Sequence, residues 1–310
     1  MDVTIIFNQM IVLFLIMLLG YYCFRKDIIT EDSSKKLSGL VVNITNPALI
    51  LSGVLGDSKI GTPSDLVFVA IVSTIMHFGL IVIAVVIPKI LRTPKSEDGI
   101  YKAMTVFSNM GFMGFPIISA IFGREVLLYG AIFLLPYNIL AYTYGVYMLT
   151  KDNKDGKEKP KFNIKNLLNP GVIGSIVAIG IFIFNIKLPI FLVSSINMVS
   201  NVTTPLSMMV IGVSIGHISL GKLFTNGRLY IFSLIKLIII PSIAFFILKP
   251  IIKDEVIFGT TVIMLCMPVG SMTAMLAKEH GGNDKLASQG ILLTTIISVI
   301  TIPLVVLILF

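Results

Sequence analysis

Asn109-Met-Gly111-Phe-Met-Gly114-Phe-Pro116 lies within an apolar run of membrane-spanning length, and Met267-Pro268-Val-Gly270-Ser271 lies within another. Proline removes a backbone donor and glycine loosens a helix, so each cluster interrupts a helix where lipid supplies no hydrogen bonds. The freed amides and carbonyls must line a cavity or bury against protein. Paired interruptions in corresponding spans are a pointer to a carrier's binding site. The plainer alternative is a pair of packing kinks, because Gly and Pro are frequent in transmembrane helices.

The sequence around these clusters is that of a membrane protein. Its 310 residues are 55% hydrophobic and 13% charged, with a mean hydropathy of +0.96, which excludes a soluble enzyme surface. Apolar runs of about 20 residues, the length of a helical span, repeat from Ile5 to Phe310 with short polar breaks. The expected fold class is therefore all-α and polytopic, with about ten transmembrane helices. The predicted spans are 5–23, 35–56, 65–87, 100–122, 127–149, 167–185, 189–215, 229–248, 256–277 and 287–308. Cys23 and Cys266 are too few for a disulfide framework or zinc cluster and read as packing residues. No cofactor or metal is called for.

The net charge of +8 would suggest nucleic acid in a soluble chain, but here the basic residues sit in the breaks between spans and read as topology signals. The odd-numbered loops carry 18 Lys and Arg against 5 in the even-numbered loops. The positive-inside rule then places the odd loops in the cytoplasm and both termini outside, in a multi-pass protein of the cell membrane. Met1 to Thr4 carry no basic residue while Arg25 and Lys26 follow the first run, which fits an uncleaved first helix rather than a signal peptide. The longest polar segment, 151–166, is a charged cytoplasmic linker that divides the spans five and five.

The two halves, 1–150 and 167–310, resemble each other. Span two carries Asn43-Ile-Thr45-Asn46-Pro47 and span seven carries Asn201-Val-Thr203-Thr204-Pro205, a shared N-x-T-x-P with kinking prolines Pro47 and Pro205. The Pro/Gly clusters follow at similar distances, in spans four and nine. Five spans per half is an odd number, so the halves insert with opposite orientation and the repeat is inverted.

Interrupted helices aim N-terminal amides at the midplane, where their partial positive charge suits an anion such as a carboxylate. Asn109, Gly111, Gly114, Pro116, Met267, Pro268, Gly270 and Ser271 form the candidate substrate site. Span five adds Pro136-Tyr137-Asn138, with Tyr142 and Tyr144, and Asn138 is the member expected to face the cavity. No Asp or Glu sits clearly inside a span, whereas His77 and Lys236 occupy corresponding spans three and eight. Ionisable groups at such depth are candidates for ion coupling. Two readings of His77 stand: proton coupling, or a neutral ring bonded to a neighbouring helix. Lys236 is about eight residues, roughly 12 Å, from the cytoplasmic end of its span, which permits either coupling or snorkelling to that interface. Sodium held by carbonyls and Asn or Ser side chains is compatible with the absence of buried carboxylates.

Other signals fail. Gly216-His-Ile-Ser-Leu-Gly221-Lys222-Leu223 lacks the hydroxyl that ends a phosphate loop. The sequons at Asn43 and Asn201 lie inside spans, where glycosylation has no access. Gly212-Val-Ser-Ile-Gly216 fits a close helix contact, such as a homodimer face. No catalytic constellation is recognisable, so an enzyme is not expected.

Asn46-Pro47-Ala48-Leu49, the span-four cluster, Asn169-Pro170 opening span six, and Met267-Pro268 followed by Gly281-Gly-Asn283 together resemble the auxin efflux carrier family, which includes bacterial dicarboxylate permeases. The resemblance implies a scaffold of spans one, two, six and seven. The other six spans would form a mobile transport domain whose broken spans four and nine cross near the midplane. It implies elevator-type alternating access, with Pro116, Pro268 and Asn109 at the crossing. His77 stands in the region where some plant members carry an acidic residue, so no proton-coupling scheme carries over. The short central loop looks like that of the bacterial branch, and family substrates include auxin, malate and malonate.

The sequence thus leads to a secondary transporter of small organic anions, with the bilayer as its surroundings and a proton or sodium ion as the coupling candidates. The alternative is a channel or ligand sensor on the same scaffold, without coupled transport.

Overall fold

The computed structural model describes residues 3–55, 60–151, 168–216 and 226–309. Beyond Lys151, the expected linker lies outside the described residues, as does the near phosphate loop beyond Gly216.

Among the described residues, twelve helices account for the ten expected spans. The first half holds α1 (Val3–Arg25), α2 (31–52), α3 (Pro63–Leu91), α4 (Asp98–Val106), α5 (Met110–Phe122) and α6 (Arg124–Thr150). The second holds α7 (Pro170–Ile183), α8 (Ile190–Gly216), α9 (Gly227–Leu248), α10 (Glu255–Cys266), α11 (Ser271–Glu279) and α12 (Asp284–Leu309). The helices α1, α3, α6, α8, α9 and α12 are long and apolar enough to cross a membrane. The interrupted spans are α4 with α5 and α10 with α11, and α7 is short because Asn169 and Pro170 start it late.

Local chemistry sets these limits. Thr62 and Asp65 form a reciprocal capping box that opens α3 after Gly61, and Pro63 occupies its first turn. Asn169 caps α7 by accepting the Val172 N–H at 3.1 Å. In α2, a wide turn at Val41–Thr45 precedes Pro47, whose missing N–H the regular ladder could not accommodate.

Helices α1, α2, α7 and α8 pack through the pairs α1–α8, α2–α8 and α2–α7; α7 also packs on α6 and α1 on α12, which lie with the helices around the two breaks. Exchanging the halves preserves the pattern: α1–α8 mirrors α2–α7, α3–α4 mirrors α9–α10, and α6–α7 mirrors α1–α12. Helices α1 and α8 touch at their backbones. A Cβ on Gly212 would lie 1.9 Å from the Met17 carbonyl oxygen, one on Gly20 2.2 Å from that of Met209, and one on Gly216 2.3 Å from Phe24. Gly212 and Gly216 therefore spend their small size on a crossing inside the chain, which is the close helix contact their spacing fits.

The two N-x-T-x-P motifs meet where α2 crosses α8. Thr203 Oγ1 donates to the Thr45 carbonyl at 2.7 Å, in full burial, and Pro47 packs on Gly174 of α7. Thr203→Val keeps the shape and removes this donor. It is expected to cost about 1 kcal/mol and lower the thermal midpoint by a few degrees, measured on purified protein in detergent.

The two breaks run antiparallel and pair with each other. Asn109 N–H donates to the Pro268 carbonyl at 2.7 Å and Gly270 N–H to the Phe107 carbonyl at 2.8 Å, around a bridge between Ser108 and Val269. Val269 N–H donates to Thr294 Oγ1 at 3.1 Å. Backbone groups that proline and glycine free from the helices are thus satisfied by the partner break. Gly270 is required here, because a Cβ would sit 2.9 Å from the Ser108 carbonyl oxygen.

Candidate functional site

Beside the paired breaks lies a cavity of about 500 Å³, within the range of small-molecule sites. Ser108, Asn109, Gly111 and Phe112 line it from the first break and α5, Tyr137, Asn138 and Tyr142 from α6, and Gly270, Ser271 and Met275 from the second break and α11. Across the seam, α2 contributes Ser38, Asn43 and Asn46, and α7 contributes Asn169 to Gly171. The cavity therefore lies between α2 and α7 on one side and the breaks with α6 on the other, and among the described residues no charged side chain lines it.

Three helices point their N-termini at this space. Helix α5 starts at the Asn109 cap, whose Oδ1 accepts the Phe112 N–H at 3.3 Å. Helix α11 starts after Gly270 and α7 after Asn169. First-turn amides have no acceptor in their own helix, and each N-terminus carries roughly half a positive charge. Side-chain amides complete the lining. Asn138 accepts from Asn169 Nδ2 at 2.6 Å and donates to the Leu134 carbonyl at 2.7 Å. The buried Asn46 Oδ1 has no hydrogen-bond partner among the described residues, and its Nδ2 lies 3.2 Å from where a Gly111 Cβ would be. Three helix N-termini thus face a pocket lined, among the described residues, by neutral side chains, a setting that suits an anion.

Of the residues expected at the site, Asn109, Gly111, Asn138, Gly270 and Ser271 do line the cavity. Gly114, Pro116, Met267 and Pro268 do not: they hold the crossing together. A Cβ on Gly114 would sit 2.8 Å from Met264 Sδ, Met267 is wholly buried, Pro116 opens the regular part of α5, and the Pro268 carbonyl serves Asn109. Tyr142 lines the cavity and Tyr144 does not.

The structure corrects one of the two readings of each ionisable group, the bond of His77 to a neighbouring helix and the snorkelling of Lys236. His77 is buried and its Nδ1 is 2.7 Å from the Ser73 carbonyl of its own helix, not a neighbouring one. Its ring stands edge-on to Tyr137 at 6.1 Å, outside the cavity, and its Nε2 has no hydrogen-bond partner among the described residues. Lys236 is fully buried and does not snorkel. Its Nζ donates to the Thr105 carbonyl at 2.8 Å and to Ser108 Oγ at 2.7 Å, directly at the first break.

Sequence reasoning attached no binding role to Asn43, Asn46, Ser108 or Asn169. A usable signal existed, since each is a polar side chain inside or at the edge of an apolar run.

Interrupted helices whose breaks pair beside a polar cavity are an arrangement found in membrane transporters. The chain belongs to the membrane transport protein family, which it matches over residues 5–306, in keeping with its auxin-efflux-carrier motifs. It is similar to an uncharacterized transporter of Methanocaldococcus jannaschii, 25% identical over 304 residues and 96% of each chain. The uncharacterized transporter YfdV of Escherichia coli K12 is 21% identical over 68% of this chain and 69% of its own. The lysosomal cholesterol signaling protein of Mus musculus is 20% identical over 96% of this chain and 37% of its own length. The protein is thus a multi-pass membrane transporter, in a family of transporters rather than of enzymes.

Proposed function

We propose that the protein carries small organic anions, mono- or dicarboxylates such as malate, malonate or auxin-like acids, by an elevator-type alternating-access cycle. The observation that carries this reading is the convergence of the α5, α7 and α11 N-termini, with the side chains of Asn46, Asn109 and Asn138, on a cavity that no carboxylate among the described residues lines. A carboxylate gains donors there without meeting a like charge.

The elevator step draws on the seam. In this reading α1, α2, α7 and α8 are the scaffold, and the paired breaks move past them with the anion. The two five-span halves, 1–150 and 167–310, act as inverted repeats. The cavity is reached from the side of the basic loops: Asn43, Ser271 and Met275 are exposed there, and α6 and α11 run from the cavity toward Lys151 and Lys278. At the other end of the seam, the Arg124 side chain of α6 donates to the Asn201 side chain of α8. By the positive-inside rule this is an inward-facing state of a plasma-membrane protein with both termini outside.

The test is charge movement in proteoliposomes on a solid-supported membrane, after rapid jumps of malate, malonate, lactate and indole acetate at two pH values. Saturable, selective currents with counterflow are expected. Unsaturable conductance would replace the carrier with a channel. A second reading, a ligand sensor, draws on the similarity to a mouse protein named for signaling; saturable binding with neither current nor tracer uptake would favour it.

A further inference from the structure

The crossing that offers helix N-termini to the cavity also gathers the opposite ends of two helices. Helix α4 ends at Val106 and α10 at Cys266, so two helix C-termini, each with roughly half a negative charge, stop at the paired breaks. In carriers with interrupted helices, such C-terminal ends and unwound carbonyls are the sites at which a coupling cation binds. Here a side chain reaches the same kind of position. Lys236 comes from a wide turn at Ile235–Ile239 of α9, and its ammonium group rests on the Thr105 carbonyl in the last turn of α4 and on Ser108 Oγ.

Two features separate this lysine from an ordinary buried ion pair. The first is its partners: the carbonyl and hydroxyl are neutral, and the ion pairs among the described residues are the distant, exposed Lys35–Glu31 and Lys36–Asp32. A buried ammonium with no carboxylate relies on helix ends and on whatever negative charge comes near it. The second is its position: Ser108 lines the cavity, so the charge stands one hydroxyl group behind the anion.

We propose that Lys236 is a tethered cation that takes the place of a bound sodium ion at the crossing, so that the anion is bound and moved without sodium. This rests on the anion-carrier reading of the cavity. The lysine neutralises the C-termini of α4 and α10 in every state of the cycle and adds the one positive charge that the neutral lining lacks. Because Thr105, Ser108 and Lys236 all belong to the group that holds the breaks, the charge travels with the anion when that group moves.

The experiment uses the full-length protein, wild type and Lys236→Ser, in sodium, in N-methylglucamine and in methylammonium chloride. Wild-type anion currents are expected to be equal in sodium and N-methylglucamine; an absolute sodium requirement would overturn the proposal. Lys236→Ser is expected to bind the anion about a hundredfold more weakly, the loss of one charge roughly 6 Å away at an effective dielectric constant near 20. Methylammonium, which fits the vacated space, is expected to restore part of that binding. Thermal stability without substrate supplies a separate reading. Methylammonium or sodium should raise the midpoint of Lys236→Ser and leave wild type unchanged, and an equal response of both proteins would overturn the proposal. If no anion binds wild type, the carrier reading falls, while the cation response of the variant still decides whether the crossing is a cation position. Should Lys236→Ser fail to fold, the wild-type comparison of sodium with N-methylglucamine decides the matter.

Discussion

Asn109→Asp is expected to weaken anion binding about a thousandfold and to leave the fold in place. The side chain is 7% exposed and lines the cavity. Its Oδ1 caps α5 through the Phe112 N–H, and its backbone N–H holds the Pro268 carbonyl. Aspartate is as good a helix cap as asparagine, so both structural roles survive the change. What changes is the charge facing the ligand. A carboxylate about 4 Å from a bound carboxylate repels it by about 4 kcal/mol at an effective dielectric constant near 20, which corresponds to about three decades in affinity. Titration calorimetry with malonate and with indole acetate, beside a thermal melt, checks both halves. Undiminished affinity for an anion that binds wild type would remove the cavity as the anion site. A collapsed melt would place Asn109 in the fold instead.

Gly212→Leu should have the largest effect on folding. Even a Cβ at this position would fall 1.9 Å from the Met17 carbonyl oxygen and 2.8 Å from the Tyr21 nitrogen, which are backbone atoms that cannot swing aside. The α1–α8 crossing would have to open, and with it the group on which α2 and α7 also pack. Overpacking of a tight site costs roughly 1–3 kcal/mol where side chains can yield, and a backbone clash exceeds that range. The expected result is loss of the monodisperse peak in size-exclusion chromatography after extraction in mild detergent. Gly180→Leu, at a position with nothing within 4 Å among the described residues, is the matched control and should elute as wild type does. A normal peak for Gly212→Leu would contradict the packing of α1 on α8.

Span-level structure was legible in advance because solvation by lipid is a property of about 20 consecutive residues. The expected limits of span three, 65–87, became Pro63–Leu91, and those of span eight, 229–248, became Gly227–Leu248. The breaks in spans four and nine were legible for the same reason, since Pro and Gly act on their own backbone. Span two was displaced, from 35–56 to 31–52, because its amphipathic first turns, Glu31 to Lys36, do not read as apolar sequence.

The candidate site was legible only in part. Asn109 and Asn138 stand out as polar residues at mid-span, but Gly114, Pro116, Met267 and Pro268 carry the same signal and turn inward to the crossing. A residue's type states what it requires; which side of a helix meets that requirement depends on the neighbouring helix.

The sequence by itself determined that the chain is a helical membrane protein, roughly where its helices lie and which two are interrupted. These are local matters of apolar length, proline and glycine chemistry and repeated motifs. Only the tertiary structure decided that Thr203 meets Thr45, that Gly212 faces α1 rather than a second subunit, and that Lys236 turns to the break instead of the interface. Each joins residues more than 100 positions apart, and their meeting follows from how whole helices pack to satisfy buried backbone and charge, a balance that no short stretch of sequence contains.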